Sequence, residues 1–251
     1  MKIEFRNLSF SYTPKKQVLH GIDLTLPKKQ FVAILGPNGS GKTTLVKQIN
    51  RILTPQSGIV TADEQNLADL MPGQLARTIA YVPQITGGMM AGSVMDTIML
   101  GRKPYIKWKP SEEDIDIVSR CILRFGLAEI AHRQFNALSG GQKQTVLIAR
   151  ALAQTPQIYL FDEPVSFLDV RNQLEIMTAA RQLVDEDGKT VIMVLHDLNL
   201  ALRFADHIVI MKEGNVFAQG TPAEVITEEN ILAVYGTHAQ IRNGEYVITS
   251  L

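Results

Sequence analysis

One stretch constrains this chain more than any other: Gly36-Pro37-Asn38-Gly39-Ser40-Gly41-Lys42-Thr43-Thr44. It follows the apolar run Phe31-Val32-Ala33-Ile34-Leu35 and precedes a segment, Leu45 to Leu53, that can form a helix. Strand, glycine-rich turn and helix at this spacing make a phosphate-binding loop. The glycines let the backbone curl until several N–H groups face one anion. A helix starting near Gly41 adds its positive end. Lys42 is placed to reach the β- and γ-phosphates of a nucleotide, and the Thr43 hydroxyl to ligate Mg²⁺.

The rest of the chain must supply a fold that can carry such a loop. At 251 residues it is long enough for one full domain with a sub-domain. Lysine plus arginine equals aspartate plus glutamate, 25 each, which argues against a large nucleic-acid footprint. Cys121 is the sole cysteine, so no internal disulfide forms and a reducing compartment is the simpler reading. Cys121 itself reads as a small apolar residue on a helix. No apolar run approaches the roughly 20 residues that span a bilayer. The start, Met1-Lys2-Ile3-Glu4, has no signal-peptide core, so the expectation is a soluble protein that meets a membrane only through a partner.

Alternation over Ile3 to Phe5, Leu8 to Tyr12 and Val18 to Leu26 predicts antiparallel strands, with a turn at Thr13-Pro14-Lys15-Lys16. Helix signals follow at about Pro72 to Arg77, and Ile79 to Val82 reads as a compact strand ending at Pro83-Gln84. From 85 to 136 the pattern becomes helical, over Val94 to Leu100 and Ile115 to Phe125, with Ser111 and Asp114 as a helix start. This predicts an inserted helical sub-domain, with Gly87, Gly88 and Gly92 loosening its entrance and Met89-Met90 as contact surface or filler. Leu138 to Ala153 reads as a helix, and Val170, Leu174, Met177 and Val184 mark one face of another. The short apolar strands Ile158 to Phe161, Val191 to Leu195 and Ile208 to Met211 imply a parallel sheet covered on both faces. A turn at 213–215, two short helices after Thr221 and a last strand at Tyr246 to Thr249 complete the reading.

In an open parallel sheet, ligands sit beyond the carboxyl ends of the strands. One strand here ends on the phosphate loop, one on Asp162-Glu163, and one on His196. Asp162 suits a direct or outer role toward Mg²⁺, Glu163 suits orientation or activation of an attacking water, and His196 suits contact with a γ-phosphate. A second anion-seeking helix start lies at Leu138-Ser139-Gly140-Gly141-Gln142. Ser139 and Gln142 form a capping-box pattern, and the two glycines leave the backbone open to close approach. By itself, Ser-x-x-Gln is an ordinary helix cap.

Together these motifs resemble the ATP-binding cassette (ABC) family, over residues 3 to about 236. Leu138 to Gln142 matches the family signature without a substitution. The resemblance implies a P-loop ATPase fold: a mostly parallel core, an antiparallel β sub-domain and an inserted helical sub-domain at about 85–136. It makes residues 36–43 the Walker A loop and 158–162 the Walker B strand. It implies that Tyr12 stacks on adenine and that Gln84 is the Q-loop glutamine, helping to hold Mg²⁺ and the water. Glu163 becomes the catalytic glutamate and His196 the switch histidine. Residues 166–169 become the D-loop, with Phe167 where many relatives carry alanine. Without the family, Tyr12 reads as a core aromatic and Gln84 as a surface residue. The region 61–66 departs from a common Asp-Gly pattern by carrying Asp63-Glu64, which predicts a surface turn.

The resemblance also implies head-to-tail pairing, each ATP lying between one chain's Walker A loop and another chain's signature. The expected partners are a second cassette chain, a separate membrane permease and, indirectly, a substrate-binding protein, with no nucleic acid. The expected place is the cytoplasmic face of the inner membrane, held peripherally. Residues 99–105, 166–169 and 196–201 are similar to importer ATPases for iron–siderophore, haem and cobalamin chelates. The alternatives are an importer ATPase for another small solute and a soluble cassette protein acting on DNA or ribosomes, for which no sustained heptads and no second cassette are found. A nucleotide kinase or small GTPase shares only the Walker A loop and leaves 138–142 and His196 unexplained.

Overall fold

The computed structural model describes residues 1–84, 92–166, 168–242 and 245–250. Gly87, Gly88, Met89-Met90 and Phe167 lie outside the described residues. The chain divides into two compact units, Met1–Leu70 with Met177–Leu251, and Met71–Ile176.

The first unit opens with β1 (Ile3–Thr13) and β2 (Lys16–Leu26), paired antiparallel. Inward residues run Ile3, Phe5, then Leu8, Phe10. The parity changes because Asn7 takes a positive φ of 47° and the register shifts there, a bulge that lets one strand bury both sets. All five residues of β3 (Phe31–Leu35) are buried, as expected of a strand covered on both faces. The phosphate loop follows, then α1 (Lys42–Ile49). This helix stops earlier than the apolar pattern to Leu53 suggests, and Ile52 beyond its end is 56 % exposed. β4 (Ser57–Ala62) pairs with β1 and with β5 (Gln65–Asn66), completing a four-stranded antiparallel sheet in the order β2-β1-β4-β5. Asp63 and Glu64, both exposed and at positive φ, make the turn between β4 and β5.

In the second unit α2 (Pro72–Thr78) leads into β6 (Ile79–Val82). Three helices follow: α3 (Val94–Met99), α4 (Glu112–Arg124) and α5 (Gly140–Ala153). Among the described residues this stretch has no strand, only an isolated bridge between Ser93 and Gln134. Serines cap α3 and α4, each with an aspartate three residues on closing a capping box. β7 (Ile158–Asp162) runs parallel to β6, with Val82 opposite Phe161, and α6 (Val170–Asp185) starts in this unit and ends in the first. Cys121 is buried on α4 and its thiol is pushed up to about 11 by burial, so it behaves as an apolar core residue.

A buried polar knot ties this unit together. Arg102 Nε donates to Asp114 Oδ1 at 2.8 Å, with both side chains almost fully buried. Arg102 also donates to the Ala153 carbonyl at 2.9 Å and to Thr155 Oγ1 at 3.1 Å, and its guanidinium lies 4.0 Å from the Tyr105 ring centre. Gly101 permits the approach, since a Cβ there would lie 2.2 Å from the Arg150 carbonyl. Two N–H and O–H donors of Ser111 and the Arg102 guanidinium hold the Asp114 carboxyl below its ordinary range. Arg102→Ala leaves Asp114 buried without its cation, and the expected loss is ~3–5 kcal/mol, read by denaturant unfolding. Because the folded-state value is depressed, the carboxylate's contribution is present above about pH 4 and fades as pH falls below it.

The chain then completes the first unit. β8 (Thr190–Val194) and β9 (His207–Lys212) flank β3 in parallel, joined by α7 (Leu198–Phe204). β10 (Asn215–Gly220) turns back antiparallel to β9. Two short helices, α8 (Pro222–Val225) and α9 (Glu228–Tyr235), precede a hairpin of β11 (His238–Arg242) and β12 (Glu245–Ser250). No helix among the described residues is long and apolar enough to cross a membrane.

Candidate functional site

The predicted site residues fall into two groups, one in each unit. In the first, β3 hands the chain directly to the loop. Gly36, Gly39 and Gly41 sit at φ 141°, 79° and 101°, a backbone course that side-chain-bearing residues resist. At Gly36 room is also lacking, because a Cβ would lie 2.1 Å from the Met211 carbonyl of β9. Gly36→Ala is therefore expected to displace the loop and abolish nucleotide binding, measured by titration with a fluorescent ATP analogue, with the core strands still folded by circular dichroism.

Lys42 is buried at the first position of α1, and its Nζ folds back to donate to the carbonyls of Gly36 at 2.8 Å and Pro37 at 2.9 Å. This holds a full positive charge against the loop. Ser40 is 3 % exposed and its Oγ has no hydrogen-bond partner, while Asn38 and Gly39 lie open at the surface. An orphaned buried hydroxyl, a cation resting on backbone carbonyls and a helix start without a side-chain cap at Gly41 together fit a phosphate chain. Thr43 is half-buried and Thr44 buried. Tyr12 is 57 % exposed, its ring edge-on to Phe10 at 5.0 Å and its hydroxyl 3.2 Å from Thr44 Oγ1. It is thus an exposed ring tied to the helix that carries the loop, not a core aromatic.

Adjacent β8 ends at the same edge of the sheet. The β3–β8 register runs from Phe31 opposite Val191 to Ile34 opposite Val194, and continuing it places His196 beside Gly36. His196 is exposed. Asp197 next to it caps α7, its Oδ1 accepting from the N–H groups of Asn199 and Leu200 at 2.7 and 3.1 Å.

In the second unit the parallel pair β6–β7 brings its own ends together. Gln84 Nε2 donates to Glu163 Oε2 at 2.8 Å, and Ser166 Oγ donates to the same oxygen at 3.3 Å. Glu163 has φ 52°, unusual for a residue with a side chain, which turns its carboxylate out of the strand direction. Asp162 is 2 % exposed, and Tyr81, one residue inside β6, donates its hydroxyl to Asp162 Oδ2 at 3.0 Å. Tyr81 was not legible as a site residue, since its strand pattern shows only a half-buried aromatic. Gln84 is half-buried and held by a carboxylate, which corrects its bland reading as a surface residue.

At the start of α5, Ser139 Oγ accepts from the Gln142 N–H at 3.3 Å and Gln142 Oε1 accepts from the Ser139 N–H at 3.1 Å. The capping box is formed as predicted. Ser139, Gly140 and Gln142 are exposed and Gly141 is half-exposed, with Leu168 and Asn172 beside it. A cavity of about 410 Å³ opens beside them, lined also by Leu127, Leu168 and Asp169. Among the described residues the Ser139 hydroxyl caps the Gln142 N–H, and the exposed start of the helix is of the kind that can receive an anion.

Among the described residues no cluster of three or more His, Cys, Asp or Glu side chains gathers as a metal cage. Mg²⁺ favours few carboxylates with phosphate oxygens and water, and the hydroxyl of Thr43, the amide of Gln84 and the buried Asp162 are hard-oxygen donors of that kind.

Residues 19–166 match the ABC transporter family. The chain is 43 % identical to an ABC transporter ATP-binding protein of Methanocaldococcus jannaschii, covering 97 % of this chain and 94 % of that one. It is 38 % identical to the achromobactin transport ATP-binding protein of Dickeya dadantii, over 95 % and 89 % of the two chains. It is 35 % identical to the ferric enterobactin transport ATP-binding protein of Escherichia coli, over 90 % and 84 %. Among solved structures it superposes on a chain of an inward-facing ABC transporter described as of metal-chelate type, with a TM-score of 0.82, 27 % identity and coverage of 99 % and 97 %. It also superposes on an ATP-binding cassette solved as a dimer in a post-hydrolysis state with ADP and phosphate, with a TM-score of 0.80, 32 % identity and coverage of 88 % and 98 %. A phosphate loop, a carboxylate-ended strand, a capped signature helix and likeness over nearly the whole length converge: the chain belongs to the ABC transporter family and is one of its ATP-binding, ATP-hydrolysing subunits.

Proposed function

We propose that this chain powers uptake of a metal chelate of the siderophore, haem or cobalamin kind, acting as a pair of chains bound to a separate permease at the cytoplasmic face of a membrane. The observation that carries the ATPase chemistry is the Glu163 carboxylate, set at a strained backbone position and held by Gln84 at 2.8 Å. Glu163 takes the proton of a water aligned on the γ-phosphate, Gln84 orients both groups, and His196 donates to the phosphate as charge builds. Lys42 leaves its resting carbonyls for the β- and γ-phosphates, and Tyr12 offers its open face to adenine. Thr43, Gln84 and Asp162 are the residues that would hold Mg²⁺, which when bound neutralises phosphate charge.

Support for the pairing is the helix start at Ser139, Gly140 and Gln142, which is exposed. In the pair, Ser139 to Gln142 of one chain meets the phosphates held by the other chain's loop, which gives two identical composite sites related by a two-fold axis. Support for the cargo is the likeness to transport subunits whose names specify achromobactin and ferric enterobactin. The test is reconstitution with the permease and binding protein encoded beside this chain. Stimulation of ATPase by a binding protein loaded with a ferric siderophore, haem or corrinoid supports the reading. Stimulation only by an unrelated solute contradicts it.

A further inference from the structure

His196 is a single exposed residue between two anchors, both within the first unit. On one side Leu195, just beyond β8, donates its N–H to the Ile34 carbonyl at 3.1 Å, close to the phosphate loop. On the other side the chain enters α7, capped by Asp197. That helix has only seven residues, and a helix so short has little stability of its own. Its direction is set by what packs against it. Leu198 and Ala201 are buried and seat one face in the core. Asn199 stands outside that face, and what holds it is the C-terminal hairpin.

The side-chain amide of Asn199 brackets the backbone of Tyr246 in β12. Tyr246 N–H donates to Asn199 Oδ1 at 2.6 Å, and Asn199 Nδ2 donates to the Tyr246 carbonyl at 3.2 Å. An amide engaging both backbone groups of one residue stands in for a neighbouring strand, so the hairpin docks on α7 with a defined register. Tyr246 is itself fixed from two directions. It lies opposite Ile241 of β11, and its hydroxyl is 3.3 Å from Thr237 Oγ1, just before that strand. Asn199 is thus where two holds meet: its N–H is taken by Asp197 Oδ1 at 2.7 Å, and its side chain by Tyr246.

We propose that Asn199 is a positioning residue for ATP turnover: by clamping the β11–β12 hairpin to the first turn of α7, it fixes the course of the chain through His196. Asn199 touches no substrate, and the hairpin takes part only through it. This role depends on the one proposed above for His196, which acts on charge developing at the γ-phosphate. A displaced His196 therefore weakens an interaction made in the transition state and leaves ground-state binding of ATP to the loop, so the loss falls on kcat and not on KM.

The test is a double-mutant cycle on steady-state ATPase of the intact complex, run well below each variant's thermal midpoint. Asn199→Ala is expected to lower kcat about fivefold with KM for ATP within twofold. Asn199→Asp keeps the acceptor and loses the donor, and is expected to fall between Asn199→Ala and wild type. Val247→Thr, at an exposed position on the same hairpin, is expected to change neither constant. His196→Ala is expected to lower kcat further than Asn199→Ala does, and adding Asn199→Ala to it is expected to cost no more than twofold, because the residue being positioned is already gone. An Asn199→Ala enzyme with a lowered midpoint but wild-type kcat and KM would overturn the clamp and leave these bonds purely structural. A further fivefold fall in the double variant would overturn it too, since Asn199 would then act by a route other than His196. Wild-type kcat in His196→Ala would remove the role of His196 itself and the clamp with it, whereas an impaired His196→Ala beside a normal Asn199→Ala would remove the clamp alone.

Discussion

Glu163→Gln is expected to stop turnover while ATP stays bound. The change keeps size, shape and the ability of the side-chain oxygen to accept from Gln84 Nε2 and Ser166 Oγ, now at 2.8 and 3.3 Å. It leaves the backbone at φ 52° no better and no worse accommodated. What disappears is the carboxylate proposed to take a proton from water. Loss of a general base costs about 10²- to 10⁴-fold in rate. Lys42, the loop N–H groups and Tyr12 are untouched, so nucleotide affinity should hold. With hydrolysis blocked, the proposed pair would have no way to reopen, and a dimer with ATP bound should accumulate on gel filtration. Hydrolysis at the wild-type rate would mean that Glu163 is not the base, and that its strained backbone and its bond to Gln84 serve another purpose.

Ser139→Arg should produce a different failure. Ser139 Oγ accepts from the Gln142 N–H at 3.3 Å and sits exposed at the N-terminus of α5. An arginine abolishes the cap and fills the space in front of the helix start with a long side chain. The cost to folding is that of one exposed cap, ~1 kcal/mol. The cost to turnover is far larger if the helix start completes a site on another chain. Binding of ATP to the single chain should remain within about threefold of wild type, while hydrolysis falls at least about 100-fold, since the donors that meet the developing charge are withheld.

How much of this was legible in the sequence depends on how local each feature is. The phosphate loop was readable because its chemistry is backbone chemistry, packed into residues 36–44 and enforced by glycines whose φ values only glycine accepts readily. The Ser139–Gln142 box was readable because a cap is an interaction across three residues. Bonds such as Gln84 to Glu163 and Tyr81 to Asp162 span 79 and 81 positions. They follow from the parallel register of β6 on β7, which no local pattern carries. The resemblance to a family supplied Gln84, and nothing supplied Tyr81. Tyr12 misled for a different reason. It keeps the inward parity of Leu8 and Phe10, but β1 by then is close to its turn and has nothing left to cover the ring. The hairpin strand β11 was missed because His238-Ala239-Gln240-Ile241-Arg242 has too few apolar residues to announce a strand. Its docking depends on Asn199, 47 positions from Tyr246.

In the proposed pair, the loop around Lys42 is half of a site whose other half, around Ser139, belongs to a second chain. Mixing two inactive variants tests it most directly. Lys42→Ala chains lack a working loop, and Ser139→Arg chains lack a working signature. Each alone should hydrolyse ATP at background. In a mixed pair, the loop of the Ser139→Arg chain faces the intact signature of the Lys42→Ala chain, and one site is whole. The predicted result is ATPase activity in the mixture well above the sum of the two separate preparations. Activity no greater than that sum, or wild-type hydrolysis by the Ser139→Arg chain alone, would contradict the claim and make the loop a site complete within one chain.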